Sequence, residues 1–483
     1  MYRLFRVILL GFLCSALLLP VSPVGRPDRA EASSYFSFGV KDELELGKKF
    51  NALVRSRMPL VDDPEVEGYV RDLVLKIATH IPAQPFPLTI SVLQDNGVNA
   101  FAAPAGYVFV YSGLILDFDH ESELAAVMSH ELGHVALRHI SKRVENAQMV
   151  GIAGMLGMVA GILLGAVGHS PQAGAAVAMG SQSASQSSML AYSREVEQEA
   201  DEAGLGFLTE SGYSPMAMVN AFEILRRLKW FKGIGGMPTY LSTHPGIEDR
   251  IGYLKDRISH MPKQLLNRPE TDERFLRAKM LLRAHYTDAE TALSYLEKLP
   301  PKPTCMDILG RAIALGRVSR VAEAKAAYDQ AIACAPNDAL PLREAGRFYY
   351  KLGDFGRAVE FLQRSADKNP RDAMTLGYLG WTLHSSGQKD KGKLYMQRAL
   401  HELPEDVDLH SVYGRMAGED GDLFTAYLHL AYAALYQNNM KQTDYNLEKA
   451  KPLAKTADQR EELTRFETIH KERSEFWKET AFR

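Results

Sequence analysis

The amino-acid sequence predicts a chain in two parts: an α+β domain, mostly helical with a small sheet, followed by an all-α array of repeated helical hairpins. Three observations carry this. His130 and His134 lie four apart in an apolar-periodic segment, which puts both on one face of a helix. Two short runs, Phe86 to Leu93 and Tyr107 to Tyr111, are rich in β-branched and apolar residues and follow a proline or a glycine, as strands do. Beyond about Met261, small residues and prolines recur every 34 residues.

With 483 residues the chain has room for two or three cores, and 46% hydrophobic with 24% charged residues is ordinary globular composition. A formal net charge of -3 gives no electrostatic case for a nucleic-acid partner, which needs a concentrated basic face.

Residues 1–32 read as a signal peptide. Arg3 and Arg6 precede an apolar run from Val7 to Leu19, and Ala30-Glu31-Ala32 puts small residues where a signal peptidase cuts. The run is short for a membrane span of about 20 residues, and the residues before Cys14 lack the small side chains of a lipidation site. The mature chain is expected to be exported, to the periplasm or an equivalent space, with Cys305 and Cys334 as its remaining cysteines.

Residues 33–262 form the first domain. Asp63-Pro64 starts a helix, as N-cap and first helical residue, whose buried face is Val66, Tyr69, Val70, Leu73, Val74 and Ile77. After the two strands, Asp119 is expected to cap the helix that carries His130 and His134, with Glu121 and Glu123 in its first turn. Leu124, Val127, Met128, Leu132, Val135 and Ala136 give that helix a buried face.

The chemistry lies in His130-Glu131-Leu132-Gly133-His134. Imidazoles four residues apart converge on one cation, and Glu131, about 100° round the helix, stands beside any water the cation holds. It is placed to act as a base. A catalytic zinc takes a third protein ligand and leaves its fourth position open. The segment Ser193 to Asp201 offers Glu195, Glu197 and Glu199, which spacing alone does not separate. Glu197 and Asp201 are again four apart, so one carboxylate can bind metal while the other supports it from behind.

The stretch His130 to His139 with Glu197-x-x-x-Asp201 resembles the zinc peptidases that include the CAAX prenyl endopeptidases and HtpX-like heat-shock proteases. So do Asn99 to Val110 and Thr243-His244-Pro245 with Arg250. The resemblance implies a zincin-like metalloprotease domain holding one Zn2+ per chain through His130, His134 and Glu197. Asp201 would then accept a hydrogen bond from the non-metal nitrogen of His130. It further implies that a strand beside the metal helix takes extended, unfolded polypeptide as an added strand. His244 would face the zinc, either stabilising the oxyanion or plugging the open position. His120 is expected at the surface and His139 in local packing.

Met149 to Gly168 carries no charge and is glycine-rich, long enough for a span. A single span would put His134 and Glu197 on opposite sides of a membrane, and a return through Gly180 to Ser188 would be polar. Residues 149–190 therefore read as a lid or membrane-touching hairpin, with 149–168 as a peripheral membrane contact.

Residues 270–472 form the array, and 473–483 a charged tail. Pro336, Pro370 and Pro404 are 34 apart, as are Ala312, Gly346, Gly380 and Gly414, and again Gly353, Gly387 and Gly421. These match the tetratricopeptide pattern; a less regular hairpin, Arg274 to Leu299, precedes them. Such a stack commonly binds extended chain or a partner protein on its concave face. Cys305 begins the first helix of a unit and Cys334 ends the second, so the geometry allows a disulfide, or a free thiol pair if the chain is not exported.

Leader, protease type and repeats in one chain also resemble the bacterial β-barrel assembly-enhancing proteases. That implies quality control of outer-membrane proteins, with partners in the barrel-assembly machinery. The expected function is a zinc metalloendopeptidase. Two other classes stay open: an assembly adaptor in which the repeats do the main work, and an integral-membrane processing peptidase.

Overall fold

The computed structural model describes residues 38–146, 156, 192–231, 239–298 and 302–480. The signal peptide read at 1–32 lies outside these residues, and so does the hairpin at 149–190 apart from Leu156, which is buried.

Helix α1 (Val40–Arg57) is followed by α2 (Pro64–Ala78). Asp63 caps α2, its Oδ1 accepting from the backbone N–H of Glu65 at 2.9 Å, and the six apolar residues predicted for the inner face are all buried. A three-stranded sheet comes next: β1 (Thr89–Leu93), β2 (Ala100–Ala103) and β3 (Tyr107–Tyr111), in the order β1-β3-β2. β3 runs parallel to β1, with Val110 opposite Val92, and antiparallel to β2, with Phe109 opposite Phe101. β1 starts at Thr89 and not at Phe86, because Pro87 has no N–H for the ladder. β2 is left as a sheet edge.

After the short α3 (Ser112–Asp117) comes the histidine helix, α4 (Glu121–Ala136). Its cap differs from the expected one. Asp119 does not cap it; the Glu123 carboxylate reaches back and accepts from the N–H groups of Asp119 (2.8 Å) and His120 (3.1 Å). Nor does α4 bury one face only, since every residue from Glu121 to Val135 is buried. It is the central helix of the domain, so its histidines sit inside.

Around it lie α5 (His139–Asn146), α6 (Arg194–Glu210), α7 (Met216–Phe231), α8 (Thr239–Thr243), α9 (Ile247–Ser259) and α10 (Lys263–Leu266). Two glycines let α4 and α6 touch backbone to backbone. A Cβ on Gly133 would lie 2.6 Å from the carbonyl oxygen of Ala200, and one on Gly204 2.9 Å from that of Ser129. This close approach brings the carboxylates of α6 to the histidines of α4.

The second half is a stack of helical hairpins. α11 (Glu273–Tyr286) pairs with α12 (Ala289–Leu296), α13 (Cys305–Arg317) with α14 (Val321–Cys334), and α15 (Leu340–Lys351) with α16 (Phe355–Lys368). α17 (Ala373–Ser385) pairs with α18 (Lys389–Glu402), and α19 (Val407–Glu419) with α20 (Leu423–Tyr436). α21 (Met440–Ala450) and α22 (Ala457–Thr480) close the array; α22 runs through the start of the stretch read as a charged tail. The hairpin turns repeat one device: Ser319, Gly353, Gly387 and Gly421, at the 34-residue spacing, all take left-handed φ of 62°, 76°, 89° and 80°. Cys305 and Cys334 are joined by a disulfide with a Cα separation of 5.6 Å.

A single apolar core runs from Val70 and Leu73 on α2 through Phe275 and Leu281 on α11 to Leu376 and Ala399 in the array. The ring of Tyr69 lies 6.4 Å from that of Phe275 across the junction. The repeats are packed directly onto the domain that holds the histidines.

Candidate metal centre

His130 and His134 present Nε2 to Nε2 at 3.1 Å. The Glu197 carboxylate, from the first turns of α6, stands 3.6 Å from each of those nitrogens. Ser193 fixes the start of that helix, its Oγ accepting from the N–H of Val196. His244 follows α8 and brings Nδ1 to 3.2 Å from His130 Nε2 and 3.0 Å from Glu197 Oε1. One donor atom from each of the four side chains lies within 4.8 Å of the others, and all four residues are buried.

Glu131 points to the same space from beside it. Its Oε2 accepts from the N–H of Ala102 on the edge strand β2 at 3.0 Å. Its Oε1 is buried, has no hydrogen-bond donor among the described residues, and lies 3.5 Å from Nε2 of His244. Burial pushes the Glu131 carboxyl above the usual range, and this outweighs the nearby imidazoles.

Behind the donors lies a second layer. Asp201 Oδ1 is 2.8 Å from His130 Nδ1, the nitrogen turned away from the cluster. Arg250 on α9 forks onto Asp201, with Nε at 2.8 Å and Nη2 at 2.6 Å, and its Nη1 reaches Glu197 at 2.7 Å. Tyr253 donates to Asp201 as well. Burial alone would raise the Asp201 carboxyl; Arg250 and His130 outweigh it and hold Asp201 well below the usual range. His139 binds His134 Nδ1 at 2.8 Å and Glu199 at 3.2 Å, outside the cluster, and the exposed face of His120 pairs with Asp272.

This buried set fits a divalent cation on its own chemistry. Glu131, Glu197 and Asp201 set three buried carboxyl groups against the one guanidinium of Arg250, and against its burial Glu197 and Glu131 raise the pKa of His244, so the interior of the site draws positive charge to itself. Burial and the neighbouring imidazoles hold His134 far below its usual pKa, that is, in the neutral form that ligates metal.

Two aromatic residues that the spacing arguments do not single out shape the site. Tyr192 stacks on His134 at 4.2 Å between ring centres, and Tyr240 stacks on His244 at 4.4 Å. Tyr240 had a legible signal, four residues before His244 on one turn. Tyr192 had none beyond its place just before the N-cap Ser193.

A central helix with two converging histidines, a carboxylate from a second helix and a sheet edge alongside define a metallopeptidase domain, here joined to tetratricopeptide-like repeats. Residues 62–258 match the model of peptidase family M48. The chain is similar to a putative beta-barrel assembly-enhancing protease of Vibrio cholerae, 30% identical over 60% of this chain and 58% of that protein. It is also similar to the beta-barrel assembly-enhancing protease of Escherichia coli K12, 30% identical over 54% of this chain and 52% of that protein. The matched stretches thus span little more than half the length of these relatives. Among solved structures, the tetratricopeptide protein YrrB overlaps 35% of this chain and 89% of its own at 17% identity and a TM-score of 0.29. No described helix is long and apolar enough to cross a membrane.

Proposed function

We propose that this protein is a zinc-dependent endopeptidase of misfolded or stalled exported proteins, with a chaperone-like part in outer-membrane β-barrel assembly. In this reading residues 33–262 are the peptidase, 270–472 dock clients and the barrel-assembly machinery, and 1–32 direct export to the periplasm. The observation that carries it is the buried convergence of His130, His134 and Glu197 with the donor-less carboxylate oxygen of Glu131 beside them.

His130, His134 and Glu197 would hold the zinc, which when bound polarises the scissile carbonyl and acidifies a water. Glu131 takes the proton of the attacking water and passes it to the leaving amine; burial raises its carboxyl above the usual range, the direction that favours taking up that proton. Asp201, held by Arg250, fixes the ring and tautomer of His130. The edge strand β2, which orients Glu131 through Ala102, is the backbone against which an extended substrate would align.

His244 favours a resting state of low activity, because its Nδ1 stands among the donors where a water would otherwise fit. In that position it acts as a plug; the alternative role is stabilisation of the developing oxyanion. His244→Ala separates the roles, a faster cleavage supporting the plug and a slower one the oxyanion.

The central test is metal content and casein cleavage for the unmutated chain and Glu131→Gln. One zinc per chain in both, with cleavage only in the first, is the expected result. Full cleavage by Glu131→Gln would reject the mechanism. A chain that holds no zinc would reject the site.

A further inference from the structure

A cavity of about 290 Å3 opens on the inner side of the repeat stack, between α15, α17, α18 and α19, and one of its walls is not a repeat residue. Asp62, which precedes the N-cap of α2, faces into it from the peptidase domain, while the next residue, Asp63, turns inward to Arg343. The rim therefore has its third carboxylate only while the array is docked. Its size is at the lower edge of the ~300–1,000 Å3 of small-molecule sites, enough for one or two side chains.

The lining has two chemistries. Its floor is apolar and aromatic: Tyr378 and Trp381, both partly buried, with Met396, Leu409 and Val412. The rim is acidic, formed by Asp62, Asp406 and Asp408. Among the described residues these three carboxylates make no ion pair; Asp62 accepts from Tyr286, and Asp406 caps α19 by accepting from the N–H of Leu409 at 2.8 Å. Two arginines border the cavity; neither forms an ion pair with the rim among the described residues, and the attraction of Arg415 for Asp408 offsets its burial only in part. Arg347 is engaged by Glu344 at 3.0 Å, and Arg415 lies over the Trp381 ring at 4.9 Å. Burial raises the Asp406 and Asp408 carboxyls above their usual range, and the charge of Asp62 adds to it. Three like charges are thus held together over an apolar floor, an arrangement that a cation relieves.

We propose that this cavity binds an extended polypeptide through a large apolar or aromatic side chain directly followed by lysine or arginine. The apolar side chain enters between Trp381 and Met396, and the cation meets Asp62, Asp406 and Asp408. An amine alone would leave the floor empty, and an apolar residue flanked by acid would meet the rim with like charge. Because Asp62 belongs to the peptidase domain, the bound segment touches both halves of the chain and favours their docked arrangement. The proposal rests on the reading of the array as a polypeptide-docking surface, not on the hydrolytic chemistry.

The test uses the full chain carrying Glu131→Gln, so that no probe is cut, and fluorescence anisotropy of a labelled, end-blocked Gly/Ser peptide containing a single Phe-Lys pair. Matched Phe-Glu and Ala-Lys peptides are the controls. The Phe-Lys peptide should bind about tenfold tighter than either control, and Trp381→Ala or the pair Asp62→Asn with Asp408→Asn should each remove about that tenfold. Equal binding of the Phe-Glu peptide on the otherwise unmutated chain would overturn the proposal, as would affinities unchanged in both variants. Casein cleavage by the chain that keeps Glu131 is read in parallel. Cleavage without peptide selectivity sinks the cavity assignment alone, and selectivity without cleavage sinks the peptidase reading alone.

Discussion

Arg343 of the repeat array donates from Nη2 to Oδ2 of Asp63 at 2.6 Å, and both side chains are about 1% exposed. Asp63 is at the same time the N-cap of α2, so one carboxylate starts a helix of the peptidase domain and anchors the array to it. Arg343 also meets Glu344 at 2.8 Å and Asp372 at 3.3 Å. Removing the guanidinium would leave three buried carboxylates short of their shared partner. Arg343→Met is therefore expected to cost about 3–5 kcal/mol, read as a lowered urea midpoint of the full chain. Adding Asp63→Asn, which keeps a capping oxygen, should recover part of the loss. An unchanged midpoint in Arg343→Met would mean that the junction is held by its apolar contacts alone.

The contact between α4 and α6 sets the metal centre, and it depends on the missing side chain of Gly133. Gly133→Ala places a methyl 2.6 Å from the Ala200 carbonyl, so the helices must part. We expect a loss of about 1–3 kcal/mol, together with weaker zinc binding as Glu197 moves from the imidazoles. Gly206, also on α6, has open space around it, and Gly206→Ala should be neutral or stabilising through helix propensity. Zinc titration and thermal melts of the two variants give the comparison.

What was legible in the sequence was what has a period. The i,i+4 spacing of His130 and His134, and of Glu197 and Asp201, places each pair on one helix face whatever surrounds it, and the 34-residue recurrence of glycine and proline marks the hairpins and their left-handed turns. The docking of the two halves was not legible. Asp63 and Arg343 are 280 residues apart, and an isolated aspartate and arginine carry no signal that they will pair. The cap of α4 was misread for a related reason. Asp119 and Glu123 both suit a helix start, and only the backbone path decides which carboxylate reaches the free N–H groups. Burial of α4 on every side was hidden because its small residues, Ala125, Ala126, Ser129 and Gly133, do not register as apolar periodicity, yet they are what lets neighbours close in.

Asp201 tests the layer behind the donors. It accepts from His130 Nδ1 and receives two arms of Arg250, yet lies outside the donor cluster. Asp201→Asn should keep the fold and lower zinc affinity by about 10–100-fold, measured by competition with a chromophoric chelator. Affinity equal to the unmutated chain would show that the orientation of His130 is set by packing alone.

Glu67 gives a pH dependence whose sign can be worked out. Burial, with Asp62 and Asp406 nearby and despite Arg55, pushes its carboxyl up from the ordinary 4.5 to about 7. Between those two values the folded chain holds a proton at Glu67 that the unfolded chain has released, so this group's contribution to stability falls as pH rises from 4.5 through 7 and is level above that. Glu67→Gln removes the titration and keeps the shape. The stability of Glu67→Gln relative to the unmutated chain should therefore increase from pH 5 to pH 8, followed as paired urea midpoints at each pH. A difference that stays flat over that range would mean that Glu67 is already ionised in the folded chain at pH 5, with Arg55 outweighing burial.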